Sequence, residues 1–376
     1  MPRFLRTLLG SGALVGLVAG PVAAREAPLV VTTRDASTPV TTRDASMTDP
    51  TRDASMNDPT RDASSTKVPY DWTQEFPKAD WSRLRIDPAE MASGGPVRGG
   101  IPAIDAPTLR AAKAIRPLQI GEAEPVIGVS LNGEMRAYPL SVLIWHEVIN
   151  DTLGGLPIAV TYSPLCNITR VFDRRVGEAV LDFAATGRLR HSCQMLFDRQ
   201  SESWWEQASA RAVSGLYADE TLRALPARLE SFAAFKARAG EGAMVVIPGQ
   251  PSKRQYGANP YWGYDRADKP MFSEGPLPDG IAPLARVVAV GERAWALDLL
   301  SEKGRIEDGD LVIDWAPGQQ SAVDAPLIAK SHAVGGAIVS RRGADGALSE
   351  VEHTVPFAFA FHALHPTATI LTRDGR

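Results

Sequence analysis

From Lys67 onward the chain is broken into apolar runs of only a few residues, each closed by a turn signal, and that spacing restricts it to a fold built from short strands. The clearest case is Val126 to Val129, then Asn132-Gly133, then Met135 to Tyr138. Asn-Gly supplies the two positive φ angles of a two-residue hairpin turn, so the pattern predicts an antiparallel pair. Leu140 to Val148 reads as a short helix, followed by Asn150-Asp151 and Gly154-Gly155 as turns. Further strands are expected at Ile158 to Tyr162, Thr169 to Phe172, Val180 to Phe183 and Cys193 to Phe197, with the longest helix at Arg228 to Arg238. The fold class expected is therefore α+β and β-dominated, with many short antiparallel strands and few short helices.

The same signature recurs later in the chain. Val126-Ile127-Gly128-Val129 and the Gly133-Glu134 that follows it reappear as Val287-Val288-Ala289-Val290 and Gly291-Glu292. Ala179 to Phe183 is echoed by Leu311 to Trp315, and Phe232 to Phe235 by Phe357 to Phe361. These echoes predict an internal duplication, with two related halves at about residues 125–250 and 285–371.

Ahead of this β-rich region, 67–376, lie two segments of different character. Arg3 and Arg6 precede the small and apolar stretch Thr7 to Val22, and Val22-Ala23-Ala24 follows the pattern of a cleavage site, so residues 1–24 read as a secretory signal peptide. The stretch is about 16 residues long and diluted by glycines, against the ~20 that a membrane span needs. Thr-Arg-Asp-Ala-Ser then begins at Thr33, Thr42, Thr51 and Thr60, a nine-residue period containing no glycine and little to bury beyond Ala, Met47 and Met56. So little apolar surface does not offset the entropy of ordering, and residues 25–66 read as a disordered linker.

Export makes the expected location the periplasm or the extracellular space. Removal of residues 1–24 takes away Arg3 and Arg6 and no acid, which moves the formal charge from -4 to -6. An acidic chain without a basic face excludes nucleic acid as the expected partner, and no later stretch is apolar enough to be an integral membrane segment. A small ligand or an envelope protein remains.

Several ordered motifs carry a family resemblance. Gly100 to Asp105, Glu124 to Val129, Arg136 to Leu140, Trp145-His146-Glu147-Val148-Ile149-Asn150-Asp151, Val160 to Cys166 and Phe197 to Trp204 are similar to the successive motifs of the DUF3179 family, a domain of unknown function. The resemblance implies an exported bacterial or archaeal protein without an assigned activity. One departure is informative. Where the family pattern reads Tyr-Cys-Pro-Leu-Cys-Gly, this chain has Tyr162-Ser163-Pro164-Leu165-Cys166-Asn167, so a Cys-x-x-Cys pair inside the motif is excluded. The other cysteine, Cys193, stands one strand further on.

The residues that could carry chemistry are His146, Tyr162, Cys166, His191, Cys193 and Met195, with Ser163 and Asn167 joining Tyr162 as expected ligand-binding positions. Three readings differ in what the thiols do. In the first, Cys166 and Cys193 form a structural disulfide, as two thiols in an oxidising compartment commonly do, within a scaffold or binding protein. In the second, Cys166, Cys193 and His146 or His191, with Met195, hold a soft metal such as copper, because thiolate, imidazole and thioether suit Cu(I). In the third, Cys166 is the nucleophile of a thiol-dependent enzyme. The bland alternatives are that His146 is a hydrogen-bonded core histidine and Met195 core filler.

Overall fold

The computed structural model describes residues 67–117, 119–249 and 254–375. The signal-peptide and nine-residue-repeat expectations lie outside the described residues. The expected hairpin forms as Pro125–Leu131 paired antiparallel with Glu134–Pro139, in register from Val126 opposite Pro139 to Leu131 opposite Glu134. Its turn has Asn132 at φ 49° and Gly133 at φ 83°, the conformation that Asn-Gly favours. The Asn132 amide also donates from Nδ2 to the Gly154 carbonyl at 2.8 Å. Replacing Asn132 with Ala places a Cβ-bearing residue without a polar side chain in the left-handed region and removes that bond. The expected loss is about 1–2 kcal/mol, read from urea unfolding midpoints. Unfolding curves that superimpose would show that this turn places no demand on residue 132.

Pro139 closes the hairpin and caps the helix Leu140–His146, whose residues other than Trp145 are all buried. A helix buried on nearly every side, with Ser141 and His146 as its polar members, has no solvent face, so it is enclosed by the sheets around it. Behind it runs the meander Val148–Leu153, Leu156–Ser163 and Ile168–Asp173, with Ile104–Asp105 added in parallel at its edge. A buried polar group ties hairpin to meander: the Asp151 carboxylate accepts from Arg136 Nη1 at 2.5 Å and from the Tyr138 hydroxyl at 2.8 Å. Each partner satisfies a polar group that would otherwise be stranded in the core.

The helix expected over Arg228 to Arg238 begins later, at Phe232. Ser231 is its N-cap, accepting from the Ala234 N–H at 3.2 Å, while Arg228–Ser231 is a strand against Pro125 to Gly128. The strand expected at Val180 to Phe183 is divided, since Ala179–Val180 pairs with Arg175–Val176 in a small ribbon and Phe183–Arg190 starts a separate long strand.

Among the described residues the strands make five sheets of three to five strands besides that ribbon, arranged as a five-fold β-propeller. The expectation of two related halves is therefore corrected. Its motivation was local: the hairpin Val287–Val290 with Arg293–Ala296 and the helix Leu297–Lys303 repeat the earlier signature. Each hairpin enters one sheet and the strands after it enter another, so neither segment closes a unit by itself. The largest apolar cluster runs from Ile127 to Ala360 across both segments. The echo between Ala179 to Phe183 and Leu311 to Trp315 also fails structurally, because Leu311–Ala316 is one uninterrupted strand between two neighbours. The β-dominated character holds: the α-helices among the described residues are six to eight residues long, and none is long and apolar enough to cross a membrane.

Another sheet carries Met91–Ser93, Phe183–Arg190, Cys193–Asp198 and Trp204–Glu206. The helix Tyr70–Glu75 docks on it through aromatic packing, with the Trp204 ring 4.7 Å from Trp72, 5.1 Å from Phe76 and 5.0 Å from Trp81 between centroids. This sheet and the meander face the same cleft.

Candidate functional site

The turn Pro164 to Asn167 joins two meander strands and is fixed from outside. Asn167 has φ 54°, its side-chain amide donates to the Val355 carbonyl at 2.7 Å, and the Cys166 carbonyl accepts from the Phe357 N–H at 3.0 Å. The Tyr264 hydroxyl donates to the Leu165 carbonyl at 2.9 Å. The positions of Ser163 and Cys166 thus depend on residues about a hundred to two hundred positions further along the chain.

Ser163 is the junction between the two sheets. Its Oγ accepts from the Cys166 thiol at 3.1 Å and from the Gln194 N–H at 3.1 Å. Gln194 Nε2 in turn donates to the Tyr162 carbonyl at 3.1 Å, leaving Gln194 Oε1 buried without a hydrogen-bond partner among the described residues. Cys193 precedes Gln194 and lies beside Cys166. Burial, reinforced by the neighbouring Cys166, pushes the Cys193 thiol well above its ordinary range. Both cysteines are buried and unbonded, with their sulfurs beyond disulfide distance.

Glu147 ends the helix Leu140–His146 in the left-handed conformation, φ 58°. Its N–H donates to the Leu143 carbonyl at 2.6 Å and its carbonyl accepts from the Tyr162 N–H at 2.9 Å, so the backbone is pinned on both sides. The carboxyl makes no hydrogen bond or ion pair among the described residues, and burial pushes its pKa up to about 8. At neutral pH it is an acid that keeps its proton. Glu147, Ser163 and Gln194 line a cavity of about 50 Å³, room for a few water-sized groups, whose other walls include Leu165, Tyr261 and Phe272.

The other expected residues are dispersed around this point. Tyr162 is buried, its hydroxyl has no hydrogen-bond partner among the described residues, and burial raises its pKa. His146 has Nδ1 at 2.7 Å from the Pro102 carbonyl and Nε2 at 2.8 Å from the Tyr256 hydroxyl, with burial lowering its pKa. His191 sits at φ 50° in the turn before Cys193–Asp198, and burial followed by Arg190 lowers its pKa. Met195 packs among Phe76, Phe197 and Trp204 and reaches the cavity wall. Among the described residues, no group of three or more His, Cys, Asp or Glu side chains is arranged to hold a metal ion. The structure thus brings Ser163, Cys166 and Cys193 together and keeps both ring nitrogens of His146 engaged elsewhere.

Glu147, Gln194 and Tyr261 were missed by the sequence reading. For Glu147 a signal existed: it follows a short, predominantly apolar helix, and the end of such a helix is buried with it. Gln194 and Tyr261 reach the cleft through pairings between distant segments, which no local pattern announces.

No curated protein and no solved structure matches the chain. A family model described as a protein of unknown function, DUF3179, matches residues 98–368, a span that contains the hairpin, the meander, Glu147, the Ser163 junction and both cysteines. The motifs on which the resemblance was noted fall inside it, and the chain belongs to the DUF3179 family.

Proposed function

We propose that this protein is an exported binding protein that seats a small uncharged ligand in the cleft over Glu147, Ser163 and Gln194. The observation that carries the reading is the Glu147 carboxyl, buried at the cavity wall without a partner among the described residues. A buried polar group with no hydrogen bond is a standing penalty, and a ligand that relieves it gains affinity. Protonated Glu147 offers an O–H donor and Gln194 Oε1 an unused acceptor. A molecule with a hydroxyl or amide group supplies the complement of each, while the aromatic and aliphatic walls suit its carbon body. A cation would have to ionise Glu147, which its burial opposes, and the Arg188 guanidinium in the lining is already paired with Asp71 and Glu75, so an anion would have to compete with them. The signal-peptide pattern at residues 1–24 supports delivery to the periplasm or the medium.

Thermal-shift measurements with small amides and alcohols, beside amines and carboxylates of equal size, test this reading. The neutral compounds are expected to raise the melting temperature, and Gln194→Met to abolish the rise. Stabilisation by the amines alone would overturn it.

A second reading concerns the thiols and is favoured by their adjacency at the Ser163 junction: Cys166 and Cys193 close into a disulfide on oxidation. It is compatible with the first, since the pair lies behind the cleft wall.

A further inference from the structure

A larger cavity, about 200 Å³, lies elsewhere in the propeller, between the meander strand Ile168–Asp173 and the hairpin Val287–Val290 with Arg293–Ala296. Its polar lining includes Arg170, Glu352, Thr354 and His365, and its apolar lining includes Phe361 and Leu364. Small residues keep it open: Ala208, Ala289 and Gly291 leave space that larger side chains would fill.

Arg170 is the unusual member. Its side chain is only 19 % exposed, yet its guanidinium makes no hydrogen bond among the described residues. Its one ionic contact among the described residues is Nη1 to Glu352 Oε1 at 3.4 Å, longer than a charge-assisted hydrogen bond. Nε is sealed from solvent without a partner, so the Nη end is what the guanidinium offers to the cavity. Elsewhere in this protein buried arginines are closely engaged, as Arg136 is by Asp151 and Arg286 by Asp265 at 3.0 Å. Arginine carries five N–H donors and does not lose its charge, so a half-buried guanidinium whose nearest acidic neighbour stands at 3.4 Å is left short of acceptors.

His365 stands across the cavity with its ring 5.0 Å from that of Phe361, and its ring nitrogens make no hydrogen bond among the described residues. The Thr354 backbone is consumed by pairing with Ala289 at 2.9 and 3.0 Å, which leaves its hydroxyl available. Unused donors therefore surround the space, and Glu352 supplies the only acidic side chain in its lining.

We infer that this cavity is a binding site for a small monocarboxylate, held by the Arg170 guanidinium with Thr354 and His365 as further hydrogen-bond partners. A planar carboxylate matches the Arg fork, and the Phe361 and Leu364 surface accommodates a short hydrocarbon tail. Glu352 already balances part of the Arg170 charge, which favours a single negative charge over the two of phosphate. The inference is independent of the cleft over Glu147, since the two cavities share no lining residue.

Calorimetric titration of the purified protein with propionate, and separately with inorganic phosphate, tests it. Propionate is expected to bind, with at least a tenfold loss in Arg170→Gln and a severalfold gain in Glu352→Gln, where the competing internal carboxylate is gone. The second variant keeps the test decisive should the first fail to fold. Phosphate binding more tightly than propionate, propionate affinity unchanged in Arg170→Gln, or no propionate binding in either the wild type or Glu352→Gln overturns the assignment.

Discussion

Replacing Glu147 with Gln is expected to make the protein more stable than the wild type by about 4 kcal/mol near pH 8, and by under about 1 kcal/mol near pH 5. The carboxyl has an ordinary pKa of 4.5 and is pushed up to about 8 by burial in the folded state. Between those values the folded protein holds a proton that the unfolded chain has released. Ionisation therefore favours the unfolded chain across this window: the stability is complete below about pH 4.5 and is lost progressively as pH rises through about 8. Glutamine has nearly the same shape and stays neutral, so it escapes that loss. Chemical denaturation of both proteins across this pH window measures the difference directly. A difference that stays flat with pH would mean that the carboxyl is hydrated or paired in solution, and the cleft would lose the neutral donor on which the proposed function rests.

This prediction depends on a residue that the sequence only partly advertised. The hairpin around Asn132-Gly133 was legible because a two-residue turn leaves its signature in adjacent positions, and the register follows from the turn. The apolar helix after Pro139 was legible for the same reason. Sheet membership was not. Ile104 beside Ile149 and Met91 opposite Arg190 are pairings between segments far apart in the chain, and a period of two residues says which face is buried without saying which strand is the neighbour. The repeated hairpin signature therefore suggests two halves, while it specifies only that hairpins of one kind occur twice. Arg228 to Arg238 shows the smaller version of this error, since charged residues at both ends concealed Ser231 as the cap that divides strand from helix. At the site, the two cysteines were expected to be bonded to each other or to share a metal ion, whereas the folded chain places them side by side with their sulfurs beyond disulfide distance. What distinguishes the cleft chemically is the loss of partners around Glu147 and Gln194 Oε1, a property of three-dimensional enclosure.

Protein purified from an oxidising compartment without reductant is expected to show no free thiol after denaturation, and the double variant Cys166→Ser, Cys193→Ser to be less stable by up to about 3.6 kcal/mol. The value is the chain-entropy contribution of closing the loop from Cys166 to Cys193, and strain in the native geometry would lower it. The two thiols are unbonded neighbours, both buried, and Cys193 is held strongly in its protonated form by that burial. Buried protonated thiols react slowly, so the bond should form during folding, by exchange with the disulfide of an oxidoreductase that takes up the two electrons, before the site closes. Oxidation also removes the Cys166 S–H that donates to Ser163 Oγ, while the Gln194 N–H still donates to it. Ser163 Oγ then has a lone pair free for a ligand in the cleft, which links the oxidised state to the binding proposed there. Two titratable thiols per chain in such a preparation would sink the disulfide reading. Metal analysis of the same sample decides what replaces it: copper in stoichiometric amount, lost in the double variant, would mean that the pair serves as a soft-metal site, and the absence of both would leave Cys166 as the packed neighbour of Ser163.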